Sequence, residues 1–413
     1  MERAELSQRL RPWLSPVASS QEQGPRLIRE ADPAKFMAAF AAAVAGEGEV
    51  FLCDPGWGTT EMAQVDALLK SATKNQKSKI PSGWLMIPTG GSSGQLRFAR
   101  HDQETIGVAV RGFTEHFGLP RVNAVGLLPL HHVSGLMAWL RSVLTGGDYL
   151  PADWKAIERG DRPALAPRRD GWVVSLVPTQ LERLLRDPPA VAWLKSFRVI
   201  FVGGAPAWPD LLDRCSAHRL PLSLGYGMTE TAAMVTGLRP EERLRGDRTS
   251  GRPLPHVQLS LEPDGRIVLE TNALFRGYYP DVSEVRRFVT SDLGRMDQGR
   301  LQVLGRQDSA INTGGEKVQP AEIEAVLRAT GEFDDVAVLG LPDPEWGQSV
   351  VAAYVAARRP DLARVDTLVA AQLAPAKRPR RFVALAEWPR TTAGKLDRTQ
   401  LARMVERETK PNP

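Results

Sequence analysis

The sequence predicts an α/β protein: a large N-terminal domain of layered α/β subdomains with a β-rich subdomain at its end, then a small α+β domain. Three observations carry that prediction. Short apolar runs at 124–130, 173–177, 199–202 and 222–224 read as strands buried on both faces, and helical patterns at 179–186 and 209–217 alternate with them. Over 251–304 the pattern changes to successive strands, with Glu262-Pro263-Asp264-Gly265-Arg266 as a turn between two of them. After 305–309 a helix at 321–329 is followed by strands at 336–341 and 350–357. This places a boundary between residues 1–305 and 306–413, with 251–304 as the β-rich part of the first domain.

Taken from the N-terminus, residues 1–79 match no recognisable pattern, although the Ala-rich run 36–45 reads as a short buried helix. Residues 71–82, rich in Lys, Ser, Asn and Pro, read as an exposed linker. The tail after Arg403 is charged and ends in Lys410-Pro411-Asn412-Pro413, the composition of a frayed end. No internal repeat is visible.

With 413 residues, 42% hydrophobic and 24% charged, the chain has the composition of a globular protein large enough for two domains. No apolar run approaches the roughly 18 residues of a membrane span, and Met1-Glu2-Arg3-Ala4-Glu5 is no basic-then-apolar leader, so the expectation is a cytoplasmic protein without a membrane span. Cys53 and Cys215 are far apart and lack a companion histidine cluster, so neither a disulfide nor a zinc site is indicated; both read as buried thiols. The net charge of +5 comes from scattered arginines rather than one stripe interleaved with aromatics, which argues against nucleic acid and for small anionic ligands. A homo-oligomer is compatible with the sequence, which does not fix the oligomeric state.

The stretch Thr89-Gly90-Gly91-Ser92-Ser93-Gly94-Gln95-Leu96-Arg97 has the chemistry of a polyphosphate loop. Glycines let backbone approach an anion, hydroxyls and N–H groups donate to phosphate oxygens, and Arg97 adds fixed positive charge. It is not a Walker loop, because no Lys-Ser/Thr pair follows its last glycine. By itself such a stretch reads more often as a flexible connection.

Five further segments follow in order: Val202-Gly203-Gly204-Ala205-Pro206; Gly225-Tyr226-Gly227-Met228-Thr229-Glu230; Ser291-Asp292-Leu293-Gly294; Gly305-Arg306-Gln307-Asp308, running on to Gly314-Gly315-Glu316 and Pro320-Ala321-Glu322-Ile323-Glu324; and Pro389-Arg390-Thr391-Thr392-Ala393-Gly394-Lys395. Together with the loop they resemble the adenylate-forming superfamily of acyl-CoA synthetases, luciferases and adenylation domains. The resemblance implies ATP and Mg²⁺ as ligands, CoA as co-substrate, a small-molecule carboxylate as the acid, and a mobile C-terminal domain that alternates between two half-reactions.

The roles that the resemblance implies can be set out along the chain. Thr89, Ser92, Ser93 and Gly94 hold the β- and γ-phosphates with Arg97, Gln95 standing where a basic residue is common. Gly204, Ala205 and Pro206 lie along the adenine, which stacks on Tyr226 beside Gly227. Thr229 meets the α-phosphate and Glu230 the metal. Asp292 takes the ribose hydroxyls, Arg306 assists, and Asp308 is the hinge. Lys395 bridges carboxylate and α-phosphate, while Gly314, Gly315 and Lys317 line the path of CoA. Only 88 residues precede Thr89, fewer than the family commonly has, so part of its N-terminal subdomain is expected to be reduced.

Two segments are more specific: Leu128-Pro129-Leu130-His131-His132-Val133-Ser134-Gly135-Leu136 and Ser175-Leu176-Val177-Pro178-Thr179-Gln180-Leu181-Glu182-Arg183-Leu184-Leu185. With Gly314-Gly315-Glu316-Lys317-Val318-Gln319-Pro320 they look like the 2-succinylbenzoate:CoA ligase branch of menaquinone and phylloquinone biosynthesis. That resemblance puts His132, Ser134 and Gly135 at the acyl pocket and CoA entrance, His132 reading otherwise as a histidine at a helix start. A dicarboxylate substrate calls for a second cation, with Arg141 and Arg183 as candidates. Another aryl or acyl acid, an adenylation module loading a carrier protein, and a degenerate nucleotide-binding regulator are the alternatives.

Overall fold

The computed structural model describes residues 2–14, 25–72, 83–90, 95–355, 358–390 and 396–409. Four sheets follow one another along the chain. The first has the order β1 (Arg26–Ile28), β2 (Val50–Leu52), β3 (Leu85–Gly90), β4 (Leu96–His101), with only the last pair antiparallel. Helices α1 (Arg3–Leu10), α2 (Pro33–Ala45) and α3 (Thr59–Ala72) accompany it, so the stretch unmatched in sequence is a small α/β layer. The Asp32 side chain caps α2 by accepting from the Lys35 N–H at 2.9 Å, and Pro33 opens its first turn. The face that α2 buries, led by Phe36 and Phe40, meets Trp84 and Trp139. This is the buried helix that the Ala-rich run predicts.

The second sheet has seven strands: β5 (Asn123–Gly126), β6 (Tyr149–Pro151), β7 (Trp172–Leu176), β8 (Val199–Val202), β9 (Leu222–Met228), β10 (Ala233–Gly237) and β11 (Arg252–Pro253), in the order β11-β10-β9-β8-β7-β5-β6. The five strands from β9 to β6 are parallel, and the apolar runs of β5, β7, β8 and the first part of β9 are buried on both faces as continuous hydrophobic strands require. Helices α4 (Gln103–Phe117) and α5 (Val133–Thr145) lie between this sheet and the first; α6 (Trp154–Glu158), α7 (Pro178–Leu185), α8 (Pro188–Leu194), α9 (Pro209–Ala217) and α10 (Pro240–Leu244) follow. A capping box of Asp102 and Thr105 starts α4, and Gly118 in the left-handed region ends it.

The predicted β-rich stretch is an antiparallel meander of β12 (Gln258–Leu261), β13 (Arg266–Glu270), β14 (Arg287–Asp297) and β15 (Arg300–Arg306), with the first turn at Pro263-Asp264-Gly265. The last sheet combines β16 (Ile311–Thr313), β17 (Glu316–Val318), β18 (Asp335–Asp343), β19 (Gly347–Val355) and β20 (Arg381–Ala384), flanked by α11 (Pro320–Ala329), α12 (Leu362–Gln372) and α13 (Arg398–Thr409).

Two expectations need correction, and one lies mostly outside the described residues. The tail is not frayed from Arg403: α13 continues to Thr409, because Leu401 and Val405 are buried against β18 and β19 residues in a separate apolar cluster. The glycine-rich segment is not one continuous loop from Thr89 to Arg97: Thr89 and Gly90 at the end of β3 pair with Arg97 and Leu96 of β4, and residues 91–94 lie outside the described residues. Most of the linker predicted at 71–82 falls outside the described residues. Both cysteines are buried, as predicted, and burial raises each thiol to about 12.

Candidate active site

In an open parallel sheet, ligands bind beyond the carboxyl ends of the strands, where loops diverge and backbone donors are unpaired. Here those ends carry the sequence-predicted residues. β5 leads to 127–132, β8 to Gly203–Pro206, and β9 to Thr229 and Glu230. Because Val202 pairs with Leu224 in parallel register, Gly203–Pro206 leaves β8 beside Gly225–Met228, the part of β9 that continues in pairing with β10 alone. Gly204, Ala205 and Pro206 are exposed, whereas Tyr226 is half-buried.

Gly227 is fixed by packing. A Cβ there would stand 1.9 Å from the Ala233 carbonyl oxygen, which is backbone and cannot yield cheaply. After it, Thr229–Thr231 makes a single 3₁₀ turn, and Ala232 and Ala233 take φ values of 49° and 86°, unusual for residues with a side chain. Gly227→Ala is therefore expected to lower thermal stability by the equivalent of at least about 2 kcal/mol, the scale of an overpacked site. Thermal unfolding of the two proteins checks it; a Tm equal to that of the parent would refute the packing argument.

Three polar groups hold this turn and the residues facing it. The Tyr226 hydroxyl donates to Asp292 Oδ2 at 2.6 Å; burial and the adjacent carboxylate push the phenol well above its usual range, so it stays a donor. On the other side of Asp292, Arg306 Nη1 lies 3.6 Å from Oδ1, and Arg306 grips Asp308 with two hydrogen bonds of 2.8 Å. That fork raises the guanidinium pKa further. Asp308 itself sits in the 3₁₀ turn Gln307–Ser309 that connects β15 to β16. Thus Tyr226, Asp292, Arg306 and Asp308 form one chain of contacts.

A second chain runs through Glu230. Tyr278 donates its hydroxyl to Glu230 Oε1 at 2.6 Å, and the Arg97 guanidinium lies over the Tyr278 ring at 4.7 Å. Glu230 offers a hard carboxylate oxygen suited to Mg²⁺. The third group is His101, whose Nε2 faces the Thr229 carbonyl oxygen at 2.8 Å. A carbonyl only accepts, so Nε2 carries the proton while Nδ1 faces the Thr105 hydroxyl at 3.0 Å. Burial draws His101 down to about 4, leaving a neutral ring at pH 7 that props the turn.

His132 is the N-cap of α5, as a histidine at a helix start should be, with Ser134 exposed and Gly135 buried. A Cβ on Gly135 would meet the Pro129 carbonyl oxygen at 2.2 Å, so glycine lets the first turn of α5 lie against the loop leaving β5. Two turns further along α5, Arg141 is 6% exposed and its guanidinium stacks over the Phe113 ring at 3.8 Å. It lines a small cavity with Phe113, Ala124, Ala138, Ser175 and Phe201, and burial lowers it to about 9. His256 is close by: burial first, then Arg141 and Arg111, bring it down to about 4, and neither ring nitrogen has a hydrogen-bond partner among the described residues. Arg183, the other candidate cation, is on the surface in an ion pair with Glu158 at 2.9 Å.

The remaining predicted residues are divided between two places. Gly314 and Gly315 form the two-residue turn between β16 and β17, both with positive φ as a tight hairpin of this kind requires, and Lys317 is exposed beside them. Ser92, Ser93, Gly94 and Lys395 lie outside the described residues; Thr89, buried on β3, pairs with Arg97 on β4. Sequence reasoning missed Tyr278, His101 and His256. No motif announces them: Tyr278 meets Glu230 and His101 meets Thr229 only through long-range folding, and His256 comes beside Arg141 in the same way.

A parallel sheet followed by a β meander and a small C-terminal domain is consistent with the fold of the adenylate-forming ligases. Residues 30–279 match the model of the AMP-binding enzyme family and 322–395 that of the AMP-binding enzyme C-terminal domain; the chain belongs to this family of ATP-dependent ligases. A 2-succinylbenzoate–CoA ligase of Enterococcus faecalis is 30% identical over 338 residues, 78% of this chain and 69% of the relative. One from Geobacillus kaustophilus is 32% identical over 298 residues, 67% of this chain and 60% of the relative. The solved o-succinylbenzoate CoA synthetase of Bacillus subtilis with its acyl-adenylate intermediate is similar in fold, with a TM-score of 0.78 at 23% identity over 97% of this chain and 92% of that one. ATP-bound MatB from Rhodopseudomonas palustris has a TM-score of 0.79 at 21% identity, covering 99% and 93%. Among the described residues no helix is long and apolar enough to cross a membrane.

Proposed function

We propose that the protein is an AMP-forming 2-succinylbenzoate:CoA ligase of quinone biosynthesis. Relatives of 30–32% identity bear that name, and the observation that carries the substrate choice is Arg141: a buried cation with no acidic partner among the described residues, lining a small cavity between the second half of α5 and the strands β5, β7 and β8. A dicarboxylate that presents one carboxylate to ATP has a second to place, and a desolvated guanidinium binds it strongly. His256, held neutral, supplies a further polar contact without competing charge.

The chemistry assigned to the chain has two half-reactions. In the first, a carboxylate oxygen of the acid attacks the α-phosphorus of ATP, forming the acyl-phosphate anhydride and releasing pyrophosphate. Positioning and charge neutralisation do most of this work. Thr89, Ser92, Ser93, Gly94 and Arg97 hold the outgoing phosphates, Thr229 the α-phosphate, and Lys395 spans the two reacting anions. Tyr226 offers its ring to adenine while its hydroxyl keeps Asp292 oriented toward the ribose. Magnesium, when bound at Glu230, neutralises phosphate charge. In the second half-reaction the CoA sulfur attacks the acyl carbonyl and AMP leaves, with Gly314, Gly315 and Lys317 turned toward the thioester path about the hinge at Asp308.

Tyr278 positions Glu230 through its short hydrogen bond. Tyr278→Phe is expected to raise the Mg²⁺ concentration for half-maximal rate about 3- to 10-fold, the size of one hydrogen bond to a charged group. An unchanged Mg²⁺ dependence would remove Tyr278 from that role.

The deciding experiment follows AMP and acyl-CoA formation with ATP, Mg²⁺ and CoA, offering 2-succinylbenzoate against benzoate, medium-chain acids and amino acids. Strong preference for 2-succinylbenzoate is the expected result. Activity confined to another acid would discard the substrate while keeping the two-step reaction. AMP release without consumption of free CoA would favour loading of a carrier protein.

A further inference from the structure

We propose that Asp54, His131 and His132 form a binding site for one divalent transition-metal ion of the zinc class, which clips the end of β2 to the start of α5. Among the described residues, these three side chains are the one group of histidine, cysteine and carboxylate residues whose ligand atoms converge, all within 4.8 Å of one another. Neither the nucleotide chemistry nor the acyl pocket uses Asp54 or His131. They come from distant parts of the sequence: Asp54 follows β2, and the histidine pair ends the loop leaving β5.

The geometry is closer to a ligand set than to a hydrogen-bonded pair. Asp54 Oδ2 and His131 Nε2 are 3.4 Å apart with both side chains buried. An aligned hydrogen bond would bring them to about 2.7–3.0 Å. In a tetrahedral zinc site with bonds of about 2.0–2.1 Å, neighbouring ligand atoms stand roughly 3.4 Å apart. The two imidazoles lie with ring centroids 4.4 Å apart, and the ligand atoms of all three residues fall within 4.8 Å of one another. Asp54 is already oriented from behind, because its Oδ1 accepts the Gly56 N–H at 2.8 Å and leaves Oδ2 facing His131.

Electrostatics point the same way. Asp54 is 3% exposed and His131 7%, so an ion between them would be largely withdrawn from water. One carboxylate and two neutral imidazoles would give such a dication three ligands. Nitrogen-rich ligation selects zinc-like ions over Mg²⁺ or Ca²⁺, which prefer all-oxygen shells. Three protein ligands leave a fourth position for water. The consequence for the molecule is mechanical: the clip joins the first sheet to the turn that carries Ser134 and Gly135.

The test uses the full-length protein, stripped with a chelator and titrated with Zn²⁺ alone by calorimetry and with Co²⁺ by visible absorption. One saturable equivalent and the ligand-field bands of a four-coordinate site are expected. His131→Gln and Asp54→Asn should each weaken Zn²⁺ binding by about 100-fold or more, with far-UV circular dichroism and an ATP-induced Tm shift as folding controls. In the parent, Zn²⁺ should also protect His131 and His132 from diethyl pyrocarbonate, read by peptide mass spectrometry, which needs no variant. Absence of saturable binding, undiminished binding in both folded variants, or full modification of both histidines in saturating Zn²⁺ would each overturn the site.

Discussion

Lys395→Ala is expected to abolish acyl-adenylate formation, by about 10³-fold, while largely sparing thioester formation from preformed acyl-adenylate and CoA. The difference follows from where negative charge meets negative charge. In the first half-reaction a carboxylate must approach a phosphate, and a bridging ammonium relieves their repulsion. At about 4 Å and an effective dielectric near 20, one such contact is worth about 4 kcal/mol, which is about 10³-fold in rate. In the second half-reaction the acyl group is already an anhydride, and AMP departs with its charge held by residues of the large domain. Lys395 follows the small-domain sheet in sequence, beyond β20, so a domain rotation about Asp308 would carry it away from the acyl-adenylate. Pyrophosphate-dependent isotope exchange into ATP measures the first step; release of AMP from synthetic acyl-adenylate plus CoA measures the second. Equal loss of both would sink the alternating-domain mechanism, because the lysine would then serve one fixed site.

The fold was legible where hydrophobic patterning is continuous. The strands β7 and β8, the helix α9 and the turn at Asp264-Gly265 follow directly from apolar runs, helical spacing and turn chemistry, since burial on both faces leaves few alternatives. β9 was only partly legible: the apolar run ends at Leu224, but pairing with β10 extends the strand through Gly225-Tyr226-Gly227 to Met228. The N-terminal layer was not legible, because β1 and β2 are three residues each and acquire their identity only by pairing, β1 with β2 and β2 with β3. For the candidate site, the motifs named the residues but not their supports. Tyr278 reaches Glu230 and His101 reaches Thr229 across long sequence separations, and local pattern carries no trace of such contacts. The same holds for Asp54: a search for zinc sites built on cysteine passes over a carboxylate that only folding brings to the histidine pair.

Arg141→Met is expected to separate stability from function. Burial lowers the Arg141 pKa to about 9, so the folded protein holds this proton less tightly than the unfolded chain does. The sign is therefore unfavourable: below pH 9 the buried charge lowers stability, and that penalty fades only as pH rises through the folded value toward the ordinary arginine range. Replacing the cation by an apolar chain of similar length removes the penalty while keeping contact with Phe113. The ligand-free variant should thus melt no lower than the parent at pH 7. A second carboxylate seated against Arg141 would recover that penalty on binding, so the variant should lose about 10²- to 10³-fold in kcat/KM for 2-succinylbenzoate, the effect of removing one partner from a desolvated charge pair. Turnover of benzoate, which has no second carboxylate, should change far less. Arg183→Met, exposed and paired with Glu158, should alter neither substrate. If Arg141→Met instead lowers both acids equally while its Tm falls, the guanidinium is a packing element of α4 and α5, and the distal carboxylate must be bound elsewhere.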